Sequence, residues 1–104
     1  MDFEAIPAKA LDRYVREGRA VVVDLRSPEE YRAGHIMGAV NLPYEEGIGQ
    51  IPYDPSRELV LYCSRGSVSM AAARELAARN YRVKTVVGGL HAYRGPYLVS
   101  GTRA

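Results

Sequence analysis

The chain has 104 residues, 47% hydrophobic and 25% charged, with 14 basic side chains, 12 acidic ones and a single cysteine. That length suits one domain able to bury roughly two thirds of its unfolded surface, so neither a metal nor a disulfide is needed to hold it. The lone cysteine excludes an internal disulfide, a multi-cysteine zinc site and a CxxC redox pair, and a net charge of +2 is too small for a nucleic-acid-binding field. No apolar run approaches the roughly 20 residues of a membrane span, and Met1 to Pro7 lacks the basic and then apolar pattern of a secretory signal. A cytoplasmic domain without metal or other cofactor is expected.

Apolar periodicity alternates between two types along the chain, the pattern of an α/β fold. Pro7 suits the first turn of a helix whose Leu11, Tyr14 and Val15 share a face and which Gly18 terminates. Ala20 to Asp24 is a β-branched run, polar only at its end, as in a buried parallel strand. Ser27, Pro28 and Glu30 read as N-cap, N1 proline and capping-box glutamate of a short helix that stops at Gly34. A weaker strand is expected from Gly38 to Leu42, closed by Pro43. Residues 44–58, broken by Gly and Pro, read as mostly loop with room for a helical turn, a place where substrate selectivity can reside.

Leu59 to Tyr62 is another buried strand and runs straight into Cys63. A helix begins near Ser67 and extends over Met70 to Arg79, with Ala72, Ala73, Leu76 and Ala77 as its close-packing face and Asn80 as a left-handed cap. Val83 to Val87 is the last strand, followed by Gly88, Gly89 and a short C-terminal helix. This alternation implies right-handed crossovers and a parallel sheet covered on both faces. Ligands of such sheets bind beyond the carboxyl ends of the strands.

Cys63 sits at one of those ends. Gly66 lets the following loop turn quickly, and a loop wrapped around the sulfur aims its backbone N–H groups there as an anion-binding nest. The helix dipole starting near Ser67 adds to the effect. Both favour the thiolate, the nucleophilic form of cysteine. Composition alone would make Cys63 a small buried core residue. The succession of strand, cysteine, polar glycine-containing loop and helix turns the reading to chemistry.

Three segments resemble signatures of the rhodanese family. VVVDLRSPEEYRAGHIMGAVNLP (21–43) is similar to its first signature, LVLYCSRGSVS (59–69) to its active-site loop, and VVGGLHAY (86–93) to its C-terminal signature, with Tyr93 where many members carry Trp. The likeness spans nearly the whole chain, as a stand-alone domain over residues 1–104, and long motifs in the right order are specific. It implies a central parallel five-stranded sheet flanked by helices on both faces. It also implies a thiosulfate-type sulfurtransferase whose cysteine accepts sulfane sulfur as a persulfide. Carried over, Cys63 would take sulfur from a small anion such as thiosulfate or polysulfide. It would pass the sulfur to cyanide or a thiol, a protein thiol included.

Ser64, Arg65, Gly66, Ser67 and Val68 would complete the six-residue cradle, with Ser69 beside it among the substrate-binding residues. Attack of a thiolate on sulfane sulfur is covalent catalysis in two steps, and backbone donors would stabilise both thiolate and persulfide. Phosphatases and arsenate reductases of related fold or chemistry place an Arg six positions after the cysteine, where this chain has Ser69. Many rhodaneses place one five positions after it, where this chain has Val68. Arg65 is the only cation of the loop, so polysulfide or a protein persulfide is expected to serve better than thiosulfate.

Asp24 and Arg26 match the Asp-x-Arg pair of the family's first signature and read as an ion pair bracing the strand end rather than as catalytic groups. Glu30 is accounted for by capping. His35 reads as structural, since a cradled thiolate needs no base, and His91 as solvated rather than at the mouth of the site. Tyr44, Tyr53, Tyr62, Tyr93 and Tyr97 read mostly as core or rim residues with hydroxyls toward water. Without a second cysteine, a persulfide must be discharged by an external acceptor, and Cys63 is open to overoxidation. Two other readings use the same residue: a sulfur carrier serving one protein partner, and a redox sensor. Neither nucleic acid nor a membrane is an expected partner.

Overall fold

The computed structural model describes residues 2–48 and 51–101. Its strands are β1 Glu4–Pro7, β2 Val21–Asp24, β3 His35–Ile36, β4 Val40–Asn41, β5 Glu58–Tyr62, β6 Arg82–Val87 and β7 Leu98–Val99. Its helices are α1 Leu11–Glu17, α2 Pro28–Ala33 and α3 Ser67–Ala78. Five strands form one sheet in the order β1-β6-β5-β2-β4, every pairing parallel, and β3 pairs antiparallel with β7 in a small second sheet.

Period-two alternation divides the core between the two faces. Val22, Val60 and Tyr62 face one side with Leu11 and Tyr14 of α1, and Tyr31 of α2 packs against the same cluster. Val21, Val23, Leu59 and Leu61 face the other with Ala72, Ala73 and Leu76 of α3. The sheet is therefore covered on both faces, and its central strands are continuous apolar runs for that reason. Cys63 continues the parity of Leu59 and Leu61 and belongs to the α3 side.

Helix ends follow the local chemistry. Gly18 caps α1 in the left-handed conformation (φ 68°). Ser27 and Glu30 close a reciprocal capping box at α2, with Pro28 at its first position. Asn80 takes a left-handed φ of 68° just past α3.

The structure corrects three expectations and adds one feature. Pro7 ends edge strand β1 instead of opening a helix; an edge position tolerates its missing N–H, and a 3-10 turn, Ala8–Ala10, intervenes before α1. The strand expected over Gly38 to Leu42 contracts to Val40–Asn41, because Gly38 takes a positive φ of 82°. The C-terminal helix is a single 3-10 turn, Leu90–Ala92, ended where Tyr93 becomes extended; Gly95 and Pro96 prevent its continuation, and β7 follows. The pairing of β3 with β7 was not anticipated. Of the loop over residues 44–58, Gly49 and Gln50 lie outside the described residues; the rest begins with a 3-10 turn, Tyr44–Glu46.

Candidate active site

Cys63 follows the central strand β5, next to the carboxyl end of β2. From β2 the chain steps outward to β4 and then returns to β5, so the strand order reverses between β2 and β5. Crevices of α/β sheets open at such a switch point. Here a cavity of about 380 Å³ opens, walled by the segments that leave β2, β4 and β5.

Cys63 is buried (4% exposed), and its sulfur receives two backbone N–H groups, from Gly66 at 3.1 Å and Ser69 at 3.3 Å. Gly66 makes the turn possible with a φ of 108°, which a side chain rarely adopts. N–H groups in the first turn of α3 have no intrahelical acceptors, so the helix starts with donors facing the sulfur. The Ser69 hydroxyl donates to the Gly66 carbonyl (3.2 Å) and accepts from Thr85 Oγ1 (2.8 Å), which pins the loop to β6. From the other side, the N–H groups of Leu90 and His91 donate to the carbonyls of Cys63 (2.8 Å) and Ser64 (3.0 Å).

Asp24 and Arg26 form the expected ion pair. The buried Asp24 carboxylate accepts from the Arg26 backbone N–H and guanidinium, with Nη2 at 2.7 Å, and that nitrogen also donates to the Gly34 carbonyl. Burial works against the Arg26 charge, but the bonds and charge of Asp24 offset it and hold the guanidinium above its ordinary range. Asn41 adds a clamp by donating to the carbonyls of Asp24 and Arg26. Tyr62, fully buried behind the pair, accepts the Ile36 N–H, and burial followed by the Asp24 charge holds its phenol well above the ordinary range.

Within the loop, Cys63, Ser64, Arg65, Ser67 and Val68 line the cavity, whereas Gly66 and Ser69 do not. Ser69 is fully buried; its N–H faces the sulfur while its side chain belongs to the loop's scaffold. Of the supporting pair, Arg26 reaches the cavity wall and Asp24 lies behind it. Glu30 does more than cap α2: it accepts the Ser64 hydroxyl at 3.3 Å and lines the cavity, and the Ser27 backbone N–H holds its carboxyl below the usual range. His91 is exposed. His35 is buried and stacked on Tyr31, and its Nδ1 donates to the Tyr31 carbonyl at 2.7 Å.

The sequence reading did not single out Thr85, Gly89, Glu45 or Glu46. Thr85 carried a signal, as the one hydroxyl within its strand. Glu45 and Glu46 also carried one, since they follow the strand closed by Pro43 and so sit at a carboxyl end. Among the described residues, no cluster of three His, Cys, Asp or Glu side chains could hold a metal, and no helix is long and apolar enough to cross a membrane.

Residues 7–95 match the family described as Rhodanese-like domain. A thiosulfate sulfurtransferase GlpE of Pseudomonas putida is 35% identical over 99 residues, covering 92% of this chain and 89% of that protein. A tRNA sulfurtransferase of Desulfurococcus amylolyticus is 34% identical over 97 residues, which is 88% of this chain but only 20% of that protein. Among solved structures, a rhodanese homolog of Thermus thermophilus superposes with a TM-score of 0.71 at 30% identity, over 86% of this chain and 99% of that one. A rhodanese-related protein of Thermoplasma volcanium shares the fold, with a TM-score of 0.82 at 24% identity over 93% of this chain and 98% of that one.

Proposed function

The chain belongs to the rhodanese-like sulfurtransferase family, and from that premise we propose that it transfers sulfane sulfur through a persulfide on Cys63. The carrying observation is a cysteine that lines a cavity and whose sulfur receives two backbone N–H groups. Such donors favour negative charge on sulfur. In the first step the Cys63 thiolate attacks the outer sulfur of the donor. The new Sγ–S bond forms, the donor's S–S bond breaks, and its electron pair leaves with the departing group, sulfite when the donor is thiosulfate. In the second step an acceptor thiolate or cyanide attacks the outer sulfur, and the electron pair of the Sγ–S bond returns to Cys63. Asp24 and Arg26 hold the adjoining wall without touching the reacting atoms.

Intact-mass analysis after anaerobic incubation with thiosulfate, and separately with polysulfide, tests this. Native protein is expected to gain one sulfur that cyanide removes as thiocyanate, and Cys63→Ala to gain none. No loading by either donor would overturn the reading. The match within a much longer tRNA sulfurtransferase supports a second reading, a carrier that hands its sulfur to one protein partner. Loading without turnover on cyanide would favour that alternative.

A further inference from the structure

Two cations line the cavity beside Cys63, Arg26 and Arg65. Arg26 lines the cavity, but its guanidinium is bonded to both Asp24 oxygens and to the Gly34 carbonyl, and its side chain is 10% exposed. Its charge is matched by a buried carboxylate, so little remains for an incoming anion. Arg65 is the other lining cation, and among the described residues it forms no ion pair. Against it stand three lining carboxylates, Glu30, Glu45 and Glu46, all exposed. Glu45 and Glu46 likewise make no ion pair among the described residues.

These carboxylates sit on an anchored rim. Tyr44, which opens their turn, donates its backbone N–H to the Leu25 carbonyl (3.0 Å) and its hydroxyl to Glu75 Oε1 (2.6 Å). Leu25, Pro43 and Val68 supply apolar lining to the same cavity, and clefts of one charge sign with low-dielectric walls focus their field. A small dianion therefore meets more repulsion than attraction on its way to Cys63.

We propose, building on the persulfide reading, that the site selects sulfur compounds with positive charge beside the sulfur, and that Glu45 and Glu46 are its specificity-determining residues. The substrate class is a cationic thiol, either a small aminothiol or a cysteine flanked by Lys or Arg in a protein. In the discharge step the acceptor's thiolate sulfur bonds to the outer sulfur of the Cys63 persulfide and the Sγ–S bond breaks. Its electron pair stays on Sγ, and the acceptor leaves as a persulfide. The acceptor's thiol proton goes to solvent, and there is no net oxidation.

The test compares the rates at which Cys63 reacts with cationic 2-aminoethyl and anionic 2-sulfonatoethyl methanethiosulfonate, read by intact mass and normalised to a neutral small thiol. At low ionic strength the cationic reagent is expected to be favoured roughly tenfold, with the preference shrinking in high salt. The double variant E45Q/E46Q should bring the ratio toward unity, whereas Glu29→Gln, on α2 outside the cavity, should leave it unchanged. Equal rates in the native protein, or a ratio that survives E45Q/E46Q, would overturn the proposal.

The same ranking is expected when the persulfide is discharged by cysteamine and by 3-mercaptopropionate at matched thiolate concentration. A Lys-flanked cysteine peptide that outpaces cysteamine assigns the charge to a protein acceptor; the reverse assigns it to a small aminothiol. Methanethiosulfonate reaction needs no persulfide. Failed sulfur loading with an intact charge preference would thus overturn the persulfide reading alone.

Discussion

A Cβ placed on Gly89 would lie 2.4 Å from the Cys63 carbonyl oxygen and 2.6 Å from that of Ser64. Those carbonyls accept the N–H groups of Leu90 and His91, so a methyl group there pushes directly on the backbone that carries the sulfur. Gly18 offers the control, since its φ is also positive but a Cβ would meet nothing within 4 Å. Gly18→Ala should cost about 1 kcal/mol and leave sulfur loading unchanged. Gly89→Ala should cost more and slow loading at least roughly tenfold, because small misplacements of a reacting group carry large kinetic penalties. Denaturant unfolding and the rate of persulfide formation, measured on both variants, separate strain from misplacement. Cys63 and Gly66 were legible in the sequence because the turn and the cysteine it wraps are neighbours in the chain. Gly89 was visible only as a punctuation mark, since the carbonyls it must clear belong to a different strand end.

At the level of elements, α2 shows how much local chemistry decides. Both halves of its capping box are present: Ser27 Oγ accepts the Glu30 N–H, and Glu30 accepts the Ser27 N–H at 3.1 Å. Ser27→Ala should destabilise the protein by about 1 kcal/mol in urea unfolding. Glu30 titrates below its usual range in the fold, chiefly through the Ser27 N–H. Its contribution is thus fully present above the unfolded carboxyl value of about 4.3, and it disappears as pH falls through the lower folded value. Glu30→Gln should flatten that part of the acid limb of a stability–pH curve; an unchanged limb would remove Glu30 from the account.

Elements with such signals were read correctly from the sequence. β1 was not, because Glu4–Pro7 buries only Ile6 and ends in proline, leaving no alternation to detect. β3 and β7 are two residues each and pair His35 with Val99 and Ile36 with Leu98. Nothing local announces a partner so distant in the chain.

Across the whole molecule, the C-terminal segment works as a strap. The Tyr93 hydroxyl donates to Asp12 of α1 (2.6 Å) and accepts the Tyr97 N–H (2.9 Å), while the Tyr97 carbonyl accepts the Met37 N–H (2.8 Å). Burial, then the bond to Asp12, pushes the Tyr93 phenol up to about 12. Because the folded value lies above the unfolded one of about 10, its contribution is complete below pH 10 and declines as pH rises through about 12. Tyr93→Phe should lower stability at neutral pH through the lost bonds and make the alkaline decline shallower, as unfolding at pH 8 and pH 11 will show. The parallel sheet and its covered faces were legible from apolar runs alternating with helical spacing. The strap was not, since its bonds join segments far apart in the chain through one hydroxyl and one backbone pair.

The bonds from Leu90 and His91 to the carbonyls of Cys63 and Ser64 also make the site depend on residues that come late in the chain. A ribosome makes the cysteine well before it makes the residues that brace its loop. While synthesis is under way, the newborn chain carries the cysteine without its finished cup. A chain that stops short of the Gly88–Gly89 turn therefore carries the cysteine but lacks the donors that brace its loop.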